Sequence, residues 1–220
     1  MIKLLKETKR FNETLFMLIL SLFCFSASVF RSIHSGTRSF IFLNWNLFLA
    51  FVPWALTSIS FLKPKIQKSK IAGGILLIFW LLFFPNAPYI ITDLFHLRVI
   101  KNMPVWYDTL LLLSYAWTGM LYGFLSLWDM ERILGRKLPG PAVTIFSTTL
   151  LFVGSFGIYM GRFLRWNSWD LFTKTSKILT EIGDRIINPL EHQTTWGMTL
   201  FMGIFLNMVY WSFRLVKERS

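Results

Sequence analysis

The chain contains six apolar runs, each close to the ~20 residues that a helix needs to cross a bilayer. Charged residues make up only 15% of its 220 residues, against about 25% in ordinary soluble domains. In lipid the backbone must satisfy its own hydrogen bonds, and an apolar segment does so by forming a helix. We therefore predict an all-α helical bundle in the lipid bilayer, with one domain over residues 1–220. The predicted spans are 15–30, 40–62, 71–89, 107–128, 142–161 and 196–214.

The basic residues stand at the ends of the apolar runs, although the net charge is +12. This placement is typical of membrane helices and argues against nucleic-acid binding. The N-terminus, the loops after spans two and four, and the C-terminus hold 14 of the 23 lysines and arginines, and the other loops hold nine. Since cytoplasmic loops are enriched in basic residues, we predict that both termini are cytoplasmic.

The first run has some features of a signal peptide. Lys3, Lys6, Lys9 and Arg10 precede it, and the small residues 26–28 resemble a cleavage site. Because five more spans follow, we expect the first run to stay in the protein as a membrane helix.

Residues 171–190 have helical periodicity but too many charges for a span. Ile178, Ile182 and Ile186 recur every four residues, with Asp184 and Arg185 between them. Burying several such charges would cost about 2.5–3.5 kcal/mol each near the bilayer centre. We therefore predict an amphipathic helix that lies in the membrane interface.

Polar chemistry begins where span three ends. Pro85 and Pro88 disturb the helical hydrogen-bond ladder, so we predict a helix break at this point. A short helix should follow, capped by Thr92 and carrying Asp93 and His96 on one face.

Polar side chains of this kind recur at the span ends that the charge count places outside the cytoplasm. Polar groups near membrane depth are costly, and they usually face a cavity, a partner or an aqueous path. By contrast, the cytoplasmic loops are short and basic. We therefore predict an extracytoplasmic polar site. Its members are Asn44, Asn46, Asn86, Tyr89, Asp93, His96, Asp108, Arg162, Arg165, Asn167, Asp170, His192 and Gln193.

Asp93 and His96 permit three interpretations. They could form part of a metal site completed by Asp108, Asp170 or His192. They could act as an acid–base pair in which the carboxylate orients the imidazole. The favoured interpretation is a local structural contact. With three histidines in the chain, a histidine-rich metal site is excluded, and no particular cofactor is indicated.

The remaining candidate residues have assigned roles. Asp93, His96 and Asp108 are the candidate catalytic residues. Arg162 and Arg165 are spaced to clamp a phosphate or carboxylate, or to pair with nearby aspartates. The candidate substrate-binding set is Asn86, Tyr89, Arg162, Arg165, Asn167 and Asp170.

Two glycine pairs indicate close helix packing. Gly119 and Gly123 lie four apart in span four, and Gly157 and Gly161 do so in span five. Small residues at this spacing let helix backbones approach. We expect packing within one chain, with homodimerisation as the alternative.

Several of these motifs carry a family resemblance. The chain resembles the bacterial membrane-protein family called domain of unknown function 1361, from span two onward. The resemblance implies a bacterial inner or plasma membrane, and it supplies no reaction. Its motifs are Phe84-Pro85-Asn86-Ala87-Pro88-Tyr89, Thr92-Asp93-Leu94, His96-Leu97, Pro104, Trp106-Tyr107-Asp108, Gly157-Ile158-Tyr159, Gly161-Arg162-Phe163 and Arg165-Trp166-Asn167-Ser168-Trp169-Asp170.

Three classes of function follow from the sequence. The leading hypothesis is an enzyme or binding site for an anionic lipid or cell-envelope precursor at the extracytoplasmic face. A transporter is the second, because interrupted helices line substrate sites in transporters. Against it, the spans contain no evident charges and the cytoplasmic half offers no matching polar path. The third is a non-catalytic assembly partner in a membrane complex.

Overall fold

The computed structural model describes residues 10–97 and 103–218, and these are helical with no strand among them. Lys3, Lys6 and Lys9, which bear on the signal-peptide question, lie outside the described residues, as do Arg98, Lys101 and Arg219. The helices are α1 Phe11–Ser35, α2 Phe42–Leu62, α3 Pro64–Lys68, α4 Lys70–Phe83, α5 Asn86–Tyr89, a 3₁₀ helix Ile90–His96, α6 Val105–Leu134, α7 Gly140–Phe163, α8 Asp170–Thr173, α9 Thr175–Ile187 and α10 Gln193–Glu218.

The prediction of a helical bundle with six spans is confirmed. Within the described residues, six helical stretches are long and apolar enough to cross a membrane. The third of them, Lys70–His96, combines α4, α5 and the 3₁₀ helix. The protein is therefore a multi-pass membrane protein.

The prolines after α4 tighten the helix without breaking its course. Pro85 and Ile90 both keep right-handed helical backbone angles. The amide of Tyr89 donates to the carbonyl of Pro85 at 3.1 Å, so the ladder resumes across Pro88. The predicted break is therefore confined to the two turn residues 84–85 between α4 and α5, and the change to 3₁₀ geometry follows at Ile90. The predicted cap is wrong, because Thr92 lies inside the 3₁₀ helix and its hydroxyl donates to the Tyr89 carbonyl at 2.6 Å.

The chain divides into two compact units, Met1–Ile133 and Leu134–Ser220. The first holds α1 to α6 and the second holds α7 to α10. In the second, α7 packs along α10, where Gly203 lies directly against the Phe152 ring. The single domain predicted from the sequence stays a prediction.

In the first unit, α1 and α6 face each other with a seven-residue repeat. Along α1 and its N-cap residue the buried positions include Arg10, Met17, Cys24 and Arg31, each seven residues after the last. On α6 they include Asp108, Tyr115, Tyr122 and Asp129 at the same interval. The contacts Arg10–Asp129, Met17–Tyr122 and Arg31–Asp108 show that the helices run antiparallel. Since an ideal helix drifts about 20° per seven residues, a seam of this period requires left-handed coiling.

Helix α9 corresponds to the predicted interfacial helix. Its 13 residues span about 20 Å, which is too short for the ~30 Å hydrocarbon core. Leu179, Ile186 and Ile187 are exposed, whereas Ile178 and Arg185 are buried. Its exposed apolar side chains are consistent with a helix that lies in the interface, which stays a prediction.

Candidate functional site

Asp93 is the central residue of the polar cluster in the first unit. Its carboxylate is 1% exposed, although it lies at the end of a transmembrane stretch. The Asn46 side-chain amide, on the first turns of α2, donates to Asp93 Oδ2 at 2.8 Å. This hydrogen bond ties the 3₁₀ helix to α2 and fixes one oxygen of the carboxylate.

His96 lies on the accessible side of Asp93. Its Nδ1 is 4.0 Å from Asp93 Oδ1, and its side chain is 41% exposed. The imidazole packs at 5.3 Å from the Phe42 ring, at the start of α2. The 3₁₀ helix therefore supports the predicted pairing, with a buried carboxylate behind an accessible imidazole. At 4.0 Å the contact is longer than a hydrogen bond, and such contacts often shorten when substrate binds.

The Asn86-Ala87-Pro88-Tyr89 motif positions this pair by packing against α6. A Cβ atom on Gly119 would lie 2.8 Å from Ile90 Cδ1 and 3.0 Å from the Ala87 carbonyl oxygen. On Gly123, a Cβ atom would lie 3.0 Å from the Ala87 Cβ. Ala87 and Pro88 are buried as a result. The glycine pair in α6 thus serves packing within the chain.

The other two residues of that motif have local contacts. Asn86 donates its side-chain amide to the Phe83 carbonyl at 3.0 Å, at the end of α4. The backbone carbonyl of Tyr89 accepts a hydrogen bond from the Thr92 hydroxyl. Their predicted roles in substrate binding stay predictions.

Asp108 is engaged in an ion pair that sequence reasoning did not identify. Arg31 donates from Nε to Oδ1 at 3.0 Å and from Nη2 to Oδ2 at 3.1 Å. Both side chains are at most 1% exposed. The same guanidinium donates to Thr37 Oγ1 at 2.6 Å and stacks on the Phe40 ring at 4.6 Å. Asp108 therefore has the geometry of a structural anion, and its catalytic role stays a prediction.

A second buried charge cluster lies at the other end of α1 and α6. Arg10 donates to Asp129 at 2.7 Å, to Glu13 at 2.8 Å and to Ser58 at 2.9 Å. Thr57 also donates to Asp129, at 3.0 Å. The sequence argument, which placed almost every unusual polar residue at the extracytoplasmic span ends, did not identify this second cluster. The expectation of uncharged spans is wrong, since Arg31 and Asp108 lie inside spanning helices.

In the second unit, Arg162 and Arg165 do not share one helix face. Helix α7 ends at Phe163, and Arg165 has a left-handed backbone with φ of 59°. Such a conformation is uncommon for a residue with a side chain. Arg165 is exposed and has no hydrogen-bond or ion-pair partner within the described residues. The predicted clamp geometry is therefore not formed, because Arg165 lies beyond the end of α7.

Asn167 and Asp170 form a closed turn in the same unit. Asp170 Oδ2 accepts from the Asn167 amide at 2.9 Å, and Lys174 Nζ lies 3.1 Å from Asp170 Oδ1. The hydrogen bond from the Asn167 backbone, followed by the contact with Lys174, holds the pKa of Asp170 below its ordinary value of 3.8. An aspartate in this state anchors a loop, and its role in substrate binding stays a prediction.

Acidification should release this turn only at low pH. Because the folded pKa of Asp170 is depressed, its carboxylate stabilises the turn above the ordinary value of 3.8 and loses that effect as pH falls through the folded pKa. We expect hydrogen exchange at the Asn167 amide, corrected for intrinsic rates, to be flat from pH 7 to about 4 and to accelerate below. Asp170→Ala should exchange fast at every pH, and a turn that opens near pH 6 in the native chain would contradict the assignment.

Within residues 10–97 and 103–218, no three histidine, cysteine, aspartate or glutamate side chains are grouped to hold a metal ion. His192, one of three candidates to complete the site, contacts Asp184 at 2.7 Å in the second unit. The geometry offers an aspartate–histidine pair rather than a metal centre among these residues.

Comparison with known proteins gives one result. Residues 45–209 match the family model described as Protein of unknown function (DUF1361). The chain belongs to this family. No curated protein and no solved structure matches it. The family match begins at the start of α2 and ends within α10, so it includes the whole Asp93–His96 cluster.

The family region does not include α1, which supplies two of the buried cations. Arg10 and Arg31 precede residue 45, whereas their partners Asp129 and Asp108 lie inside the matched region. Sequence reasoning treated these arginines as flanking charges. The signal that could have identified these pairs is the spacing. The two arginines are 21 residues apart, and so are their partners Asp108 and Asp129.

Proposed function

We propose that the Asp93–His96 pair is the acid–base centre of an enzyme that acts on an anionic lipid or cell-envelope precursor at the extracytoplasmic membrane surface. The observation that carries the proposal is the buried carboxylate, fixed by Asn46 at 2.8 Å, behind an imidazole that is 41% exposed. Histidine is the side chain most often used for proton transfer near neutral pH.

The chemistry follows from this geometry. Asp93 would orient the imidazole and stabilise its protonated form, as a carboxylate does behind a catalytic histidine. His96 would take a proton from the attacking group and return it to the leaving group. The cluster ends a transmembrane stretch, so a lipid-linked substrate can reach it along the bilayer. The choice of an anionic substrate is supported by the net charge of +12.

The test compares variants in vesicles that contain lipids extracted from the native membrane. We expect the unmodified protein to convert a lipid species detectable by mass spectrometry, and His96→Ala to slow that conversion by about 10²–10⁴-fold. Asp93→Asn should lower the rate while His96 stays in place. His192→Ala is the matched control, because His192 contacts Asp184 in the second unit.

Protein stability separates catalysis from a structural role. His96 is partly exposed, so its removal should leave the unfolding temperature nearly unchanged. If His96→Ala instead unfolds the protein, or converts lipid at the native rate, the pair is not the catalytic centre.

We further propose that both termini face the cytoplasm, so that the Asp93–His96 pair faces outward. The 14 to nine distribution of basic residues supports this orientation. In a Cys24→Ser background, a membrane-impermeant maleimide should label Ser39→Cys in intact cells and should not label Lys65→Cys. Both positions are exposed, in the α1–α2 connection and in α3. The opposite labelling pattern would invert the orientation and place the pair at the cytoplasmic face.

A transport function is the second candidate, and one observation favours it. Polar contacts between α1, α2 and α6 recur along the interior of the first unit. They are Arg10–Asp129, Ser21–Tyr122, Cys24–Thr118, Ser28–Asn44–Tyr115 and Arg31–Asp108. These contacts place polar groups along the interior of the first unit, which supports a polar path where the sequence argument expected none. Proton or solute uptake by protein-containing vesicles, without lipid conversion, would favour transport over the enzyme.

A further inference from the structure

A groove between α1 and α6 has the shape and lining of a site for hydrocarbon. Its volume is about 420 Å³. It is lined by Phe23, Ser26, Ala27, Phe30, Trp106, Tyr107, Leu110, Leu111 and Ser114. These positions follow α1 and α6 for about 12 Å, since each residue advances a helix by about 1.5 Å.

Two polar groups in the wall are already satisfied by the backbone. The Tyr107 hydroxyl donates to the Ala27 carbonyl at 2.9 Å, and the Ser114 hydroxyl donates to the Leu110 carbonyl at 2.7 Å. Phe23, Phe30 and Leu110 each leave more than half of their surface exposed. Most of the groove lining is therefore apolar and suits an acyl chain, with the Ser26 hydroxyl and the Trp106 indole as its remaining polar groups.

A histidine and an arginine follow the end of the groove that is formed by Phe30 and Tyr107. The His34 ring stacks on the Phe30 ring at 5.7 Å, and Phe30 is a wall of the groove. Arg38 follows on the α1–α2 connection and is exposed. Neither the His34 side chain nor the Arg38 side chain has a hydrogen-bond or ion-pair partner in the described part of the chain.

The buried ion pair holds this connection beside the groove. Arg31 binds both Asp108 and the Thr37 hydroxyl, so residue 37 is fixed to the start of α6. Tyr107, the neighbour of Asp108, lines the groove. Because Arg31 binds both oxygens of Asp108, that carboxylate is already paired and does not neutralise Arg38.

We propose that this groove binds one acyl chain of an anionic phospholipid, with its phosphate held by Arg38 and His34. Charge complementarity decides the occupant, since an apolar helix would gain nothing from the Arg38 guanidinium or from the hydrogen-bonding nitrogens of His34. One basic side chain contributes about 1 kcal/mol toward an anionic headgroup at a membrane surface, which is about fivefold in affinity. The inference goes beyond the proposed enzyme and does not depend on it, because it uses none of the Asp93–His96 cluster.

The experiment is native mass spectrometry of the full chain in mild detergent, titrated with phosphatidylglycerol or with phosphatidylcholine of the same acyl chains. We expect one phosphatidylglycerol to bind at least about fivefold more tightly than phosphatidylcholine. Arg38→Ala should remove that preference and leave phosphatidylcholine binding unchanged. Inorganic phosphate should not compete.

Groove-filling variants test the acyl chain separately. Ser26→Phe and Ser114→Phe should each weaken both lipids, whereas Val29→Phe, a lipid-facing position on α1 that does not line the groove, should not. Equal affinity for the two lipids, or undiminished binding by both filled variants in folded form, would overturn the proposal. Arg38→Ala should leave the lipid conversion assigned to Asp93 and His96 unchanged, so failure of the enzyme hypothesis and failure of this one give different results.

Discussion

Arg31→Ala is expected to destabilise the protein by about 3–5 kcal/mol, because it leaves the Asp108 carboxylate buried without its partner. The two side chains form a bidentate pair that is at most 1% exposed. Asp108→Asn should have a similar effect for the opposite reason, since it leaves a buried guanidinium unpaired. The measurement is the unfolding midpoint of the purified protein in mild detergent.

Two control variants test whether the loss of stability comes from the broken ion pair. Arg38→Ala removes an arginine from the same region, and that arginine is exposed without a described partner, so the midpoint should hardly change. Combining Arg31→Met with Asp108→Leu should recover most of the loss, because apolar residues of similar volume often replace a buried pair at little cost. Equal midpoints for Arg31→Ala and Arg38→Ala would show that the pair contributes nothing.

Gly119→Leu is the second change with a large expected effect, about 1–3 kcal/mol or more. Even the first added atom would lie 2.8 Å from Ile90 and 3.0 Å from the Ala87 carbonyl oxygen. A side-chain methyl can rotate away, but a backbone carbonyl cannot, so α5 would have to shift. The 3₁₀ helix begins at Ile90, and the shift should therefore also move Asp93 away from Asn46.

The matched control is Gly74→Leu in α4. A Cβ atom at Gly74 has no heavy atom within 4 Å, so the larger side chain meets open space at its first atom. Leucine is also the better helix former, and this variant should unfold at or above the native midpoint. If Gly119→Leu and Gly74→Leu had the same unfolding midpoint, the contact between α5 and α6 would not be tight.

The length and order of the spans could be predicted because hydropathy acts locally. Each of the six predicted runs corresponds to a spanning helix, with ends that differ by a few residues. Pro85 and Pro88 show the limit of local reasoning, since both suggest a break. The tertiary contact of Ala87 with Gly119 and Gly123 instead holds the segment in a helical form.

The candidate site was predicted only in part, for a related reason. Asp93 and His96 are three residues apart, and any helix brings them together. Asn46, which fixes the carboxylate, lies 47 residues away on another helix, and only the fold shows that contact. The Arg162–Arg165 clamp did not form because α7 ends between the two residues, and helix ends are the least certain part of such a prediction.

The seven-residue seam between α1 and α6 sets a physical length. Its terminal ion pairs, Arg10–Asp129 and Arg31–Asp108, are 21 residues apart on each helix, or about 32 Å along the axis. This nearly equals the ~30 Å thickness of bilayer hydrocarbon, so each pair falls close to one membrane surface. In a thicker bilayer the paired helices would draw both charge clusters into lipid, and in a thinner one they would have to tilt. The spacing of the two ion pairs therefore selects a bilayer whose hydrocarbon thickness is about 32 Å.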